Sequence, residues 1–502
     1  MRRLQLNGIP EQDWISALPI KVMQFGEGNF LRGFADWMIH RMNAQQLFNG
    51  RVIVIQPIEH GAGEWLNEQD CLYTLLIRGL HNGELVQERE LVTSISHVIN
   101  PYQQYESYMQ TARNPDLRFV FSNTTEAGIA YSPTDRYEDA PPSSFPGKLT
   151  VWLHKRFEAF AGDPDKGVIV LPCELIDRNG DELRRIVLRL ATEWGLGDDF
   201  IAWVKHHNFF LNTLVDRIVT GYPRDEIEEL TKHLGYEDRC FVAAELYHLW
   251  VIEGDARFAE ELPLAQAGLN VIWTDDLAPY RTRKVRILNG AHTMTALAAY
   301  LYGVDTVKEC MDDPRIRRFM EIGIYEEIIP TLDLPREELI GYASAVLDRF
   351  ANPYNKHYLL SISLNSTSKF KTRVLPSIKK YIARNHKLPR ALTFALAALI
   401  AFYRGTEIQE QQLVAKRDDG TAYRVSDDPH ALELFRDAWS KFNGNYTSAH
   451  ELVRKLLGCA MLWGEDLTQI AGLPERVAGD LYAIVKYGMP QAIKGVVAND
   501  QH

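Results

Sequence analysis

An amine, a carboxamide and an imidazole stand close together just past the midpoint of the chain, in Lys284-Val285-Arg286-Ile287-Leu288-Asn289-Gly290-Ala291-His292-Thr293. The apolar residues around them, Val285, Met294, Ala296, Leu297 and Leu301, have the spacing of a long helix beginning here. Asn289 and His292 are three residues apart and share a face of that helix. Lys284 lies about two turns before His292, within reach of the same point. Such a set can handle a carbonyl and its alcohol: the amine moves a proton, and the amide donates to the developing oxyanion. A free lysine has a pKa of about 10.4, so burial or a neighbouring cation must lower it for work near neutral pH. The same residue types also serve as solvated or capping groups at helix starts, so the assignment needs support from elsewhere in the chain.

That support begins near the N-terminus. Ile20-Lys21-Val22-Met23-Gln24-Phe25 reads as a strand, Gly26-Glu27-Gly28-Asn29-Phe30-Leu31-Arg32-Gly33 as a glycine turn, and Phe34, Trp37, Met38, Arg41 and Met42 recur at helical spacing. Strand, turn and helix in this order are the setting of a dinucleotide fingerprint. Gly26 permits the tight turn and Gly28 lets the backbone approach a pyrophosphate. The third glycine is displaced, with Leu31 in its usual place and Gly33 two residues later. The cofactor-binding candidates here are Phe25, Gly26, Glu27, Gly28, Asn29 and Phe30. A second strand, residues 51–56, ends on Gln56 where an acid normally holds the adenosine ribose, and Glu59 is the nearest carboxylate. No basic cluster follows to meet a 2′-phosphate, which favours NAD over NADP. The strand at 118–123 runs into Thr124-Thr125-Glu126-Ala127-Gly128. A polar loop at the carboxyl end of a parallel strand flanks bound ligands in open α/β sheets, which adds Asn123 and Thr124 to the cofactor candidates. A plain surface loop is the alternative.

The elements that must position these groups fall into two regions. Up to about residue 278, strands alternate with helices. Further strands are expected at 167–172 and 269–273, a hairpin at 72–80 and 84–94 around His81-Asn82-Gly83, a surface loop over 135–147, and helices at 148–160 and 181–194. This alternation predicts an α/β fold with a mainly parallel sheet, spanning 1–278. From there helical periodicity dominates to residue 502. Helices are expected at 285–302, 305–312, 314–328, 336–350, 389–403, 429–440, 447–458 and 474–488, with Asn352-Pro353 and Leu375-Pro376 as breakers and an exposed excursion around 409–420. The second domain, 279–502, is thus mostly α-helical, and the seam joining the two domains is the expected place for a small ligand.

Composition narrows the class. The 502 residues, 46% apolar and 24% charged, suit two to four soluble globular domains. A formal net charge of -11 argues against nucleic acid or an anionic membrane as partner. The five scattered cysteines form no CxxC pair, so neither a disulfide framework nor a metal site is expected, and a reducing cytoplasm fits. No apolar run is long enough to span a bilayer, and Met1-Arg2-Arg3 opens no signal core.

Taken together, Lys284-x4-Asn289-x2-His292, the Gly26-x-Gly28-x-Phe30-x-Arg32 turn and Val215-Asp216-Arg217-Ile218 resemble the polyol-specific long-chain dehydrogenases, the mannitol dehydrogenase family. The likeness covers nearly the whole chain. Longer shared stretches include 24–32, 121–129, 172–177, 218–225 and 392–400. The resemblance implies a Rossmann-like first domain and a metal-independent, NAD(H)-linked reaction at a secondary alcohol. It implies an acid/base role for Lys284, oxyanion roles for Asn289 and Asn212, and substrate orientation by His292. In the polyol enzymes an arginine and a lysine also bind substrate. Lys369 fits the lysine, but Ser361 stands where the arginine is expected. This departure points away from a simple hexitol and toward a sugar acid, whose carboxylate Lys369, Lys371 or Arg373 could hold. His357 joins Lys369 and Arg373 as a substrate-binding candidate, and the expected partner is a small sugar acid bound by a monomer, with neither nucleic acid nor membrane. The competing readings are the same chemistry on another sugar, a sugar-acid isomerase or epimerase retaining its nucleotide, and a non-catalytic nucleotide sensor. The last would have no use for Lys284, Asn289 and His292.

Overall fold

A computed structural model describes residues 2–81, 83–125 and 127–498. The chain divides into two compact units, one of Met1–Gly79 with Glu84–Leu277, the other of Leu80–Gly83 with Ala278–His502.

The first unit is built on a six-stranded parallel sheet. Its strands run in the order Ile95–Ile99, Arg51–Ile55, Ile20–Phe25, Phe119–Ser122, Ile169–Pro172, Phe209–Phe210. The order reverses between Ile20–Phe25 and Phe119–Ser122, where Phe25 pairs with Ser122. Arg51–Ile55, Phe119–Ser122 and Ile169–Pro172 are buried at every residue, so the side chains that alternate along them meet packed layers on both faces. Val22, Phe119 and Phe121 pack with Phe34 and Met38 of the helix Ala35–Ala44 on one side. Met23, Phe25 and Val120 pack with Leu149 and Trp152 of the helix Phe145–Ala159 on the other. That second helix starts three residues before the expected position. Ser144 caps it by accepting from the Gly147 amide, and Pro146 sits in its first turn. The preceding loop is also less superficial than its composition suggests. Asp135 is buried and accepts hydrogen bonds from the amides and hydroxyls of both Ser143 and Ser144; the two amide contacts are 3.0 Å.

Beside the short parallel pairing of Arg2–Arg3 with Tyr236–Glu237, two smaller sheets belong to this unit and account for strands that the alternation assigned to the main one. Asn212–Asp216, Leu249–Glu253 and Val271–Thr274 form one. Val219–Gly221, Val242–Glu245, Tyr73–His81 and Glu84–Val92 form the other. The expected hairpin strands are thus adjacent, while Asn82 of its turn lies outside the described residues.

The second unit is mainly helical. Its central helix, Arg390–Phe402, is buried along its length from Ala391 and packs against Gly290–Tyr302 and Leu473–Tyr487. Helices also occur at Leu359–Ile362, Ser366–Arg373, Leu375–Asn385 and Met489–Val497, where none was expected. Pro376 explains one of them: it sits in the first turn of Leu375–Asn385, where its missing N–H costs nothing, so it starts a helix rather than only ending one. The stretch expected as an exposed excursion is a three-stranded antiparallel meander, Gly405–Gln409, Gln412–Lys416 and Ala422–Val425. Leu413, Ala415, Tyr423 and Val425 alternate inward and are buried. Its first turn uses Glu410 and Gln411 at positive φ (49° and 64°) instead of the Asn-Gly or Gly pairs that signal such hairpins in sequence.

The helix carrying the first motif is not regular. Ala278–Arg283 is α-helical, Lys284–Asn289 is π-helical, and Gly290–Tyr302 is α-helical again. In an α-helix residues five apart point about 140° away from each other. The i→i+5 bonding of a π-turn widens the turn and reduces that angle.

Candidate active site

In the first unit the candidates gather at the carboxyl edge of the sheet, on both sides of the point where strand order reverses. Gly26 has φ +115°, and a Cβ there would lie 2.9 Å from the backbone oxygen of Asn123, so only glycine fits. Its amide donates to Ile55 O (3.0 Å), and the Asn123 amide donates to Phe25 O (3.1 Å), which ties the turn and the loop together. A Cβ at Gly28 would meet nothing within 4 Å. The turn is therefore open where a dinucleotide phosphate needs room, and in this respect the residues present fit the cofactor. Gly28 leads into the short helix Asn29–Arg32, and a second helix starts at Ala35 instead of the single one expected. Asn29 accepts from Arg32 (2.8 Å), and Phe30 stacks on Phe34 at 5.0 Å. The Glu27 carboxylate accepts from the Ala62 amide (3.3 Å), and burial raises its pKa.

Gln56 is buried at the end of its strand and is turned into its own loop. Its Nε2 donates to Ile58 O (2.8 Å) and Glu59 O (3.0 Å), and its Oε1 accepts from the Gly63 amide (3.3 Å). Its part is to shape the 56–63 loop. Thr124 is held by a residue not among the candidates. Glu174, 2% exposed, accepts from the Thr124 amide and hydroxyl (both 2.9 Å) and from the Ser122 hydroxyl (2.9 Å). Asn123 donates to Cys173 O (2.9 Å). Glu174 follows the strand next to Phe119–Ser122, so the rule that polar groups at strand carboxyl ends border the ligand crevice would have found it. Beneath the turn, Gln24 Nε2 donates to Gly26 O and to Asp36 Oδ2 (both 3.0 Å), and burial pushes the Asp36 carboxyl up to about 7.

Asn212 stands at the start of its strand with its amide fully engaged. Its Nδ2 donates to Glu253 (3.0 Å) and Asp181 (3.2 Å), and its Oδ1 accepts from the Asp181 amide (3.1 Å).

In the second unit the structure groups His292 with His357 and with the cations of the Ser366–Arg373 helix. The His292 ring stacks on Phe350 at 4.1 Å and meets His357 edge-on at 5.0 Å. His292 Nε2 is buried without a hydrogen-bond partner among the described residues. Burial, then the charges of His357, Arg349, Arg373 and Lys369, hold this imidazole well below its usual pKa, so it is neutral near pH 7. Lys369 donates to Ile362 O (3.0 Å); burial and Arg373 lower its pKa while Asp427 opposes them. Arg286 donates to Thr372 O (2.7 Å) and Arg373 O (3.3 Å), which satisfies carbonyls at the end of the cation-bearing helix. Arg349 was missed by the sequence reading. Its signal was a cation set among Tyr342, Ala343, Val346 and Phe350, the buried face of Arg336–Ala351. An unpaired neutral ring nitrogen beside several cations suits a ligand that carries both hydroxyls and a negative charge.

A parallel sheet of this order with an open glycine turn, joined in one chain to a helical unit of this kind, defines a dinucleotide-fold oxidoreductase, and two family models make the class specific. The mannitol dehydrogenase Rossmann domain matches residues 20–266 and the mannitol dehydrogenase C-terminal domain matches residues 276–485. The chain belongs to the mannitol dehydrogenase family and is an oxidoreductase of the polyol-dehydrogenase type.

Among individual relatives, it is 50% identical over 477 residues to the altronate oxidoreductase of Escherichia coli O6:K15:H31 (strain 536 / UPEC), covering 95% of this chain and 96% of that protein. Identity and coverage are the same with the altronate oxidoreductase of Shigella flexneri serotype 5b (strain 8401). Two solved structures share the fold. A D-sorbitol dehydrogenase in substrate-free form has a TM-score of 0.77 at 21% identity, covering 95% of this chain and 96% of that one. The Pseudomonas fluorescens mannitol 2-dehydrogenase, solved as a ternary complex with NAD and D-mannitol, has a TM-score of 0.65 at 20% identity, covering 97% and 96%. Among the described residues no helix is long and apolar enough to cross a membrane.

Proposed function

We propose that this protein is an NAD(H)-dependent tagaturonate reductase, interconverting D-tagaturonate and D-altronate. The observation that carries this reading is the 50% identity with altronate oxidoreductases over 95% of the chain. The setting of His292 supports a sugar acid over a hexitol: three cations, Arg349, Arg373 and Lys369, act on one neutral imidazole, and Ser361 replaces the arginine of the polyol enzymes.

The residues take the following parts. Gly26, Glu27, Gly28, Asn29 and Phe30 would hold the dinucleotide pyrophosphate, Asn123 and Thr124 would border the cofactor, and Gln56 shapes the loop that would meet its ribose. When bound, NADH supplies the hydride that reduces the keto carbon. Asn289 donates to the keto oxygen, and the Lys284 ammonium, from the same π-turn, gives the alkoxide its proton. In the oxidative direction the neutral amine takes that proton back. His292 Nε2 accepts from a substrate hydroxyl. Lys369, Arg373 and His357 hold the carboxylate end. The oxyanion role implied for Asn212 requires Asp181 or Glu253 to give up its amide hydrogen. Five free thiols suit a reducing cytoplasm.

The test is NADH absorbance with D-tagaturonate, D-fructuronate and D-fructose side by side, and with NADPH in parallel. Tagaturonate with NADH is expected to give the highest kcat/KM. A higher value for fructuronate or fructose would reassign the substrate. Turnover of a sugar acid without NADH consumption would favour the isomerase reading.

A further inference from the structure

Arg286 lies inside the π-turn, between the two residues proposed to act on the keto group, and has no part in the chemistry above. Its guanidinium leaves the turn and reaches the end of the cation-bearing helix Ser366–Arg373, where Nη1 donates to Thr372 O (2.7 Å) and Arg373 O (3.3 Å). Gly290, the residue after the turn, approaches the same end: a Cβ there would lie 3.4 Å from Arg373 O.

These two carbonyls need an outside donor for a reason written in the chain. In a continuous helix each would accept from the amide four residues on. For Thr372 that residue is Pro376, which has no N–H. For Arg373 it is Ser377, whose amide donates to Val374 O (2.9 Å) as the next helix, Leu375–Asn385, begins. Arg286 supplies the hydrogens that the chain itself withholds. The start of the cation-bearing helix is fixed separately, since Asp427 accepts from the Thr367 amide (3.0 Å) and hydroxyl (2.9 Å). Arg286 does the same for the end that bears Arg373.

We infer that Arg286 is a positioning residue, which sets the spacing between the turn that handles the keto group and the cations that hold the carboxylate. This rests on the function proposed above. The cations bind a part of the substrate that does not react, so displacing them removes binding shared by the ground and transition states, which raises KM more than it lowers kcat.

The test is steady-state kinetics of wild type, Arg286→Gln and Arg286→Lys on the sugar that the wild type turns over best, with urea unfolding in parallel. Arg286→Gln is expected to raise KM for the sugar about tenfold, the worth of one charge-assisted contact, with kcat within about threefold and KM for NADH unchanged. Arg286→Lys keeps the charge on a shorter side chain without the planar fork, and its KM is expected to fall between the two. An unchanged sugar KM in Arg286→Gln, a fall in kcat alone, or wild-type kinetics in Arg286→Lys overturns the inference. So does a matching rise in both KM values with a lower urea midpoint, which would mark a general loosening of the fold. Because the variants are compared on whichever sugar the wild type prefers, a preference for fructose would reassign the substrate and leave the role of Arg286 to be judged by the same KM ratio.

Discussion

Lys284 and Asn289 illustrate how a residue's role depends on the local backbone. Their five-residue separation on an α-helix would turn the amine away from the amide, and the π-turn over Lys284–Asn289 reduces the angle between them. Lys284→Ala is expected to abolish most turnover while NADH still binds, because the proposed proton donor is lost and the proposed nucleotide contacts lie in other residues. Asn289→Ala is expected to lower kcat by roughly 10²–10³, the usual cost of one oxyanion donor. Stopped-flow NADH oxidation combined with equilibrium NADH titration measures both; a Lys284→Ala variant near wild-type rate at neutral pH would remove the proton-transfer assignment. The residue types and their grouping were legible in the sequence. The π-turn was not, since nothing in Lys-Val-Arg-Ile-Leu-Asn distinguishes it from an α-helical turn.

The loop after Phe119–Ser122 depends on the element beside it. Glu174 fixes Thr124 and Ser122 through three acceptor contacts of 2.9 Å, and burial raises its own pKa. Glu174→Gln replaces one acceptor oxygen with a donor, which cannot receive the hydrogens now shared between Thr124 and Ser122. The expected result is a stability loss of about 1–3 kcal/mol together with a higher KM for NADH and a smaller change in kcat. Urea unfolding and initial rates at varied NADH check this. A kcat loss at unchanged KM would mean that Glu174 acts in the chemistry instead of positioning the loop. Strands with strong apolar runs, such as Ile20–Phe25 and Phe119–Ser122, were readable because two-sided burial demands continuous hydrophobicity. The short strands of the Gly405–Val425 meander were not, because their inward residues alternate within a charged, glycine-poor stretch.

Across the molecule, buried ionisable groups set opposing pH dependences. Burial, together with nearby cations, lowers His248 to about 4, and His292 is also held well below 6.5. As pH falls from 6.5 toward 4 the unfolded chain binds protons on these rings that the folded chain refuses, so their contribution destabilises the fold in acid. Asp36 and Glu327 act in the opposite sense. Burial raises both to about 7, so between about pH 4 and 7 the folded chain holds protons that the unfolded chain has released, and stability falls as pH rises. Asp36→Asn keeps an acceptor for Gln24 and removes the titration. Its stability relative to wild type is therefore expected to improve from pH 5 to pH 7 by about 1–3 kcal/mol. Urea midpoints at the two pH values measure it; a constant difference would show that Asp36 is ionised throughout.

The sequence by itself determined the architecture and the chemical vocabulary of this protein. Alternating strand and helix periods suffice for an α/β unit followed by a helical one, and a glycine turn after a strand with an amine, amide and imidazole in one helical run supply the groups that the proposed carbonyl chemistry would use. These are local signals, written in spacings of two to eight residues. Only the tertiary structure decided which distant residues share a neighbourhood. It set Glu174 beneath Thr124, turned Gln56 into its own loop, bound the Asn212 amide to Asp181 and Glu253, and gathered Arg349, His357, Lys369 and Arg373 around His292. The physical reason is that burial and charge coupling act through space, between side chains that folding brings together from far apart in the chain, and no periodicity records them.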